Sequence, residues 1–249
     1  MRVARMKASI SEIAQKLISW TDEMVTSAGA KGAVLGMSGG IDSAVAAVLC
    51  KRAFPETTLG VIMPCHSMGI DREHAELVAN KYHIPFKVVC LDEAFNALMK
   101  SLPDEGYDAA TKKLAENNIK PRLRMITLYY LANRLNYLVI GSSNRSELAV
   151  GYFTKHGDGG SDLIPLGNLA KRQVRELAEY LDIPREIIDK PPSAGLWDGQ
   201  TDEGELGLTY DELDRYLITG KAERRIKEKI DSRIKQSTHK RCLPPIPPL

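Results

Sequence analysis

Apolar residues open the chain in a helical rhythm. From about Ser9 to Ala28, Ile10, Ile13, Leu17, Ile18 and Val25 recur near three- and four-residue spacing, which predicts an amphipathic first helix. The rhythm then gives way to short apolar runs set between longer helical stretches. "GAVLGM" (Gly32 to Met37) predicts a buried strand, and Ser43 to Phe54 a helix with Pro55 beyond its end. "TLGVIM" (Thr58 to Met63) predicts a second strand closed by Pro64, followed by a helix over Asp71 to Tyr82 and the strand "FKVVC" (Phe86 to Cys90). Helical segments fill about Asp92 to Asn136, divided at Pro103 and near Pro121, and "YLVIG" (Tyr137 to Gly141) predicts a fourth strand.

Alternation of this kind predicts an α/β fold, a doubly wound parallel sheet with helices on both faces. Right-handed crossovers then put binding sites at the carboxyl ends of the strands. The loops leaving those ends are "SGG", "PCHSMGID" and "GSSNRSE". After Glu147 the pattern changes. "GYFTKHGDGGSDLIP" (Gly151 to Pro165) and "KPPSAGLWDGQTDEGELG" (Lys190 to Gly207) lack periodicity and read as long loops, a length that in compact domains goes with function or mobility. Between them "KRQVRELAEYLDI" (Lys171 to Ile183) is helical; "YDELDRYL" and "AERRIKEKIDSRIKQS" supply C-terminal helices, and "THKRCLPPIPPL" an extended tail.

Composition narrows this picture only a little. A chain of 249 residues accommodates one sizeable domain, and a net charge of +2 is too small to announce a nucleic-acid or membrane partner. Of the four cysteines, Cys50, Cys65 and Cys90 fall in or beside apolar runs and none forms a CxxC pair with another. They read as small buried or half-buried hydrophobes, not metal ligands or disulfides, which fits a reducing compartment. Arg2, Arg5 and Lys7 have no apolar core behind them, so no signal peptide is expected, and no stretch reaches a transmembrane length. A cytoplasmic location is the expectation.

The stretch "LGMSGGIDS" (Leu35 to Ser43) carries the first chemistry. A strand that ends in Ser38-Gly39-Gly40 and runs straight into a helix turns backbone N–H groups toward an anion. A tight strand–helix turn alone would also use these glycines. Asp42 adds information, because a carboxylate beside phosphates is repulsive unless a cation lies between them, which points to Mg²⁺. Its other reading is helix stabilisation through the dipole. The GxxxxGK[ST] pattern of γ-phosphate transfer is absent. Glu147 follows the loop leaving the fourth strand, at the same carboxyl edge as Asp42; it also suits a capping box with Ser143 or Asn144.

"SGGIDS" resembles the loop of the N-type ATP pyrophosphatases, the adenine nucleotide alpha hydrolase-like group that splits ATP between its α and β phosphates. Within that superfamily, "NIKPRLRM" (Asn118 to Met125), "GSSNRSE", "GYFTKHGDGGSDLIPLGNLAK", "KPPSAGLWDGQTDEGELG" and "THKR" (Thr238 to Arg241) together resemble NAD synthetase, in that family's order and over nearly the whole chain. The family's larger members carry a glutaminase domain. Residues 1–249 leave no room for one, and no cysteine sits in an arrangement that would release ammonia from glutamine, so a single ammonia-dependent synthetase domain is expected.

The resemblance implies a reaction and a set of sites. ATP, deamido-NAD and ammonia would give NAD, AMP and pyrophosphate through an acyl-adenylate. Gly36, Met37, Ser38, Gly39, Gly40, Ile41, Asp42 and Ser43 would bind the ATP phosphates, with Asp42 and Glu147 as magnesium ligands. Ser142, where relatives commonly have threonine, Lys171 and Ser193 would also contact ATP. A lysine at a helix start opposes the dipole, so a phosphate partner gives Lys171 a reason. Arg122, Lys155, Asp162, His239 and Lys240 would bind deamido-NAD, with Asp162 a candidate to take a proton from ammonium. Pro121 stands where relatives often have alanine and suits a first helical turn. The family is homodimeric; the first-helix stripe and Tyr129-Tyr130-Leu131 suit a core or an interface, with core the simpler reading. The glycine-rich stretches Gly157 to Ser161 and Asp198 to Gly207 are expected to close over substrates.

The rivals are a tRNA-modifying enzyme with the same loop, a GMP synthetase core, and a non-catalytic nucleotide-binding module. Scattered cysteines and weak charge oppose the first, and "GYFTKHGDGGSD" opposes the second. Retention of both acids, Lys171, His239 and Lys240 opposes the third.

Overall fold

The computed structural model describes residues 9–67, 69–103, 108–197 and 199–247. Arg2, Arg5, Lys7 and Asp198 lie outside the described residues. The first helix, α1 (Ile10–Ser27), starts at a Ser9–Glu12 capping box. Then come β1 (Ala33–Gly36), α2 (Ile41–Ala53), β2 (Thr58–Ile62), α3 (Gly69–Lys81) and β3 (Phe86–Val88). The long crossover contains α4 (Asp92–Ser101), α5 (Ala109–Asn117) and α6 (Ile119–Leu135) before β4 (Leu138–Ile140). Helices α7 (Arg145–Val150), α8 (Lys171–Tyr180), α9 (Arg185–Ile188), α10 (Asp202–Leu206), α11 (Tyr210–Thr219) and α12 (Arg224–Gln236) complete the chain.

The sheet is parallel throughout, in the order β3-β2-β1-β4. The chain steps outward from β1 to β3 and then crosses to the far side of β1. Connections therefore diverge between β1 and β4, and a crevice opens at their carboxyl ends, where such folds bind ligands. Alternating strand residues feed two cores. Ala33, Leu35, Ile62 and Ile140 pack with α1, α2, α3 and α8, while Val34, Leu59, Val61 and Val139 pack with Met125, Leu128 and Ala132 of α6. Helix α2 is buried on every side from Ser43 to Cys50, as a helix trapped between sheet and outer helices must be. A third cluster, Val150, Leu206, Leu208, Tyr210, Leu213 and Ile230, joins the C-terminal helices to α7.

Several local expectations change. Asp202 to Leu206 is helical, not loop: Thr201 Oγ1 accepts the Gly204 N–H at 3.2 Å, and Gly207 ends the turn at φ +62°. The short α9 was likewise unforeseen. Near Pro121 the helices part only at Asn118, and buried Pro121 sits in the first turn of α6, where a missing N–H costs nothing. Cys50 and Cys65 are buried, but Cys90 is exposed because β3 is the outermost strand, with Lys87 and Val88 open to solvent. The α1 stripe packs on the core through Ile10, Ile13, Leu17 and Ile18. Among the described residues no helix is long and apolar enough to cross a membrane.

Candidate active site

The loop after β1 is braced from within. Ser43 Oγ lies 3.0 Å from Ser38 Oγ, accepts the Ser38 N–H at 3.2 Å and donates to the Gly40 carbonyl at 2.9 Å. Gly39 takes φ +75°, and a Cβ there would sit 2.1 Å from the Asp71 carbonyl oxygen, so the loop tip touches the start of α3 and only glycine fits. Gly40 caps α2 without a side-chain bond, which leaves that helix end to act on a ligand.

Asp42, in the first turn of α2, faces Glu147, in the first turn of α7. Between them lies the ammonium of Lys171, the first residue of α8: it bonds Asp42 Oδ2 and lies 3.4 Å from Glu147 Oε1. Asn144 joins the acids, donating from Nδ2 to Asp42 Oδ1 at 2.9 Å while its own N–H reaches Glu147 Oε2 at 3.1 Å. Its Oδ1 accepts the Glu147 N–H at 3.1 Å, so the capping box expected as Glu147's alternative is present alongside the acid cluster. The capping reading of Glu147 is therefore met, and the same carboxylate also lies beside Lys171. Ser146 Oγ accepts the Lys171 N–H at 3.1 Å and Asp214 Oδ2 the Arg172 N–H at 2.9 Å. Those neighbours serve the α8 helix end, which frees the Lys171 side chain for the acids.

Burial shapes the charges here. Desolvation and the adjacent Asp42 push the Glu147 carboxyl up to about 8, outweighing Lys171. Burial pulls the Lys171 ammonium down, but Asp42 and Glu147 more than reverse it and hold the proton on. A further acid, Asp202, approaches from α10, its pKa raised by burial.

These groups floor a cavity of about 650 Å³ at the carboxyl ends of β1, β2 and β4. Gly36, Met37, Ser38, Gly40, Ile41, Asp42, Ser43, Ser142, Glu147, Lys171, Ser193 and Lys240 line it. Gly39 is the turn beneath. Lys240 donates to the Gly151 and Phe153 carbonyls at 2.9 and 2.8 Å. Arg122, Lys155 and His239 gather outside: Arg122 Nε donates to the Lys155 carbonyl at 3.2 Å and Lys155 Nζ to the His239 carbonyl at 2.9 Å. Lys155 and His239 line a second hollow of about 430 Å³ with Lys235, Cys242 and the proline-rich tail.

Asp162 stands apart from both. Its Oδ2 accepts the Val139 N–H at 2.8 Å, its Oδ1 the Tyr129 hydroxyl at 2.8 Å, and its N–H donates to the Val139 carbonyl at 2.9 Å. The segment thereby runs as an extra rung along β4, with Ile140 and Leu163 bridged in parallel.

Sequence reasoning missed four residues that face the main cavity or its floor. Asp158, in a 3-10 turn (Asp158–Gly160), is open to the cavity, and the surrounding protein raises its pKa by desolvation. Arg124 lies on the α6 side opposite Arg122, its guanidinium held by the Met63 carbonyl and Ser67 hydroxyl, each at 3.1 Å. The others are Asp202 and Tyr210. The "RLR" spacing was the available signal for Arg124, since residues two apart on a helix point to opposite sides.

Fold and floor together define a class: α/β nucleotide-binding proteins whose switch-point loop bears an acid and borrows its lysine from another helix. The sequence profile of the NAD synthase family matches residues 13–244. The chain is 50% identical over 244 residues to the NH(3)-dependent NAD(+) synthetase of Carboxydothermus hydrogenoformans, covering 98% of this chain and 100% of that one. Among solved structures, an NMN synthetase from Francisella tularensis superposes with a TM-score of 0.91 at 38% identity, covering 98% of this chain and 100% of that one. An NH3-dependent NAD synthetase from Campylobacter jejuni gives 0.79 at 29%, covering 97% and 100%. The chain belongs to the NAD synthase family. Its activity is that of an NAD synthase, an ATP-dependent ligase that amidates deamido-NAD to NAD.

Proposed function

We propose that ATP and the nicotinate end of deamido-NAD meet in the 650 Å³ cavity, with the ATP phosphates on the loop Gly36–Ser43 and Lys171. The observation that carries this reading is the Lys171 ammonium bridging Asp42 and Glu147 at the carboxyl ends of β1 and β4. A nicotinate carboxylate is a poor acceptor for ammonia, so it first attacks the α-phosphorus of ATP and pyrophosphate leaves. Ammonia then attacks the acyl carbon of the adenylate, and AMP departs. The loop N–H groups and Lys171 hold the pyrophosphate, and Ser142 and Ser193 contact the nucleotide.

Asp42 and Glu147 are hard oxygen donors, and among the described residues no set of three or more His, Cys, Asp or Glu is arranged to hold a metal alone. Two carboxylates fit Mg²⁺, which takes its remaining oxygens from phosphates and water. When bound, it supplies charge neutralisation on the leaving pyrophosphate. Asp158 is the carboxylate placed to take the proton that ammonium must lose: it faces the cavity, and burial raises its pKa above the ordinary carboxylate value. Asp162, the earlier candidate for that proton, has its oxygens bonded to the Val139 N–H and the Tyr129 hydroxyl and lies outside the cavity.

The adenylyl half of deamido-NAD lies in the outer hollow, against Lys155 and His239, with Arg122 beside Lys155 and Lys240 on the lining of the inner cavity. Residues 1–249 act as one synthetase unit using ammonia directly. Exposed Ile126 and Tyr130 on α6, at 67% and 58%, support a homodimer, and unpaired cysteines support a cytoplasmic setting. Incubation with Mg-ATP, deamido-NAD and an ammonium salt yields NAD and AMP; production of ADP would sink the reading.

The likeness to an NMN synthetase favours a second acid, the nicotinate mononucleotide, taken by the same chemistry. It needs only the inner cavity. Direct competition between the two acids decides: equal kcat/KM for both means the outer hollow adds nothing.

A further inference from the structure

The first turn of α11 contributes a side chain that the reaction above leaves unused. Tyr210 is 6% exposed. Its hydroxyl lies 2.9 Å from Asp202 Oδ2 and 3.4 Å from Glu147 Oε1, and its ring centre lies 5.1 Å from Lys171 Nζ. One residue thus touches the cation, one of the two bridged acids, and a third acid facing the same cavity. It is fixed from outside: Thr209 and Glu212 close a capping box, and the Tyr210 N–H donates to Glu203 Oε1 at 2.9 Å. The Tyr152 hydroxyl lies 3.1 Å from the other oxygen of Asp202 but 2.8 Å from Glu205 Oε2, the nearer acceptor for its one proton.

A phenol has one proton to donate. Asp202, the nearer acceptor, takes it, so Glu147 Oε1 faces the hydroxyl's lone pairs and stays directed at Lys171. Without that donor, Asp202 would be a buried carboxylate short of a partner, and the nearest cation is Lys171. The ring offers the ammonium a partner other than a carboxylate. Attraction to a ring face is weaker and less directional than an ion pair, so it does not compete with an arriving phosphate.

We infer that Tyr210 is a positioning residue for nucleotide binding: it keeps Asp202 out of the Lys171–Asp42–Glu147 cluster, and so leaves Lys171 free to exchange carboxylates for ATP phosphates. This rests on the ATP site proposed above. Binding of α,β-methylene ATP with Mg²⁺ is measured by calorimetry for the parent chain, Tyr210→Phe, Asp202→Asn and the double variant, with KM for deamido-NAD and thermal midpoints alongside. Tyr210→Phe weakens analogue binding about tenfold, the size of one lost hydrogen bond to a charged group. Its KM for deamido-NAD stays within about twofold, and the double variant regains most of the loss because the competing charge is gone. Parent-like binding by Tyr210→Phe overturns the inference, and so does a loss that tracks the thermal midpoint and is not regained in the double variant. A parent chain that fails to bind the analogue overturns the ATP site itself.

Discussion

Lys171 and Lys155 are both assigned to substrates rich in phosphate, yet the protein holds them in opposite ways. Lys171 is 9% exposed and locked between Asp42 and Glu147, with Tyr210 beneath it. Lys155 is half-buried and leans on a backbone carbonyl, His239 O, as Arg122 leans on Lys155 O. A buried cation among acids is expensive to assemble but arrives aligned, whereas a cation resting on neutral carbonyls is cheap and turns readily. The floor is organised before substrate comes; the rim can organise around it. Chemistry needs the first, because misplacing charge at the reacting atoms costs rate. Holding the far half of a dinucleotide needs only the second.

The contrast breaks most visibly at Lys171. Lys171→Met leaves the Asp42 carboxylate buried without its cation beside Glu147, so stability falls by roughly 3 kcal/mol in urea melts and pyrophosphate release falls by about three orders of magnitude. A mild loss of both would show that the floor is not organised by this pair. Asp42→Asn and Glu147→Gln keep the fold but lower adenylation by about two to three orders. Pyrophosphate release near the parent's rate in both variants would remove the metal assignment.

Next comes a dependence on pH. In the metal-free chain the folded Glu147 holds its proton up to about 8, against an ordinary value of 4.5. Between those values the folded state binds more protons than the unfolded one, so stability falls as pH rises, by at most about 1.4 kcal/mol per pH unit. The contribution is complete at the acid end and gone above the folded value; melts of Glu147→Gln should show a flatter profile over that window. At the rim the effects are smallest. Lys155→Ala or Arg122→Ala raises KM for deamido-NAD about tenfold, increasingly at low salt, and changes stability by no more than about 0.5 kcal/mol. A large loss of kcat there would erase the distinction between floor and rim.

The strand and helix order was legible because each strand of a parallel sheet is a short apolar run, and Leu35, Val61 and Val139 sit in such runs. Asp42 was legible as a candidate because it stands in the Ser38-Gly39-Gly40 loop after β1, and the structure puts it on the cavity floor. Tyr210, Asp158 and Arg124 were not, since their meaning comes from distances between segments far apart in sequence. Helix α10 was hidden by its glycines, although Thr201 and the following acids are an ordinary helix start. Cys90 misled because an apolar run does not say whether its strand is central or outermost. Asp162 carries a second task that its place in the sequence did not announce: its oxygens bond the β4 backbone and Tyr129.

That last feature reaches beyond catalysis. An edge strand with open N–H groups is a template on which another chain can grow. Along β4 the Asp162 carboxylate occupies the Val139 N–H, and the Leu163 carbonyl takes that of Gly141. The aspartate that ties its own segment to β4 therefore also terminates the sheet. Its replacement by alanine should reveal itself first as clumping in concentrated solution, before any assay of turnover is run.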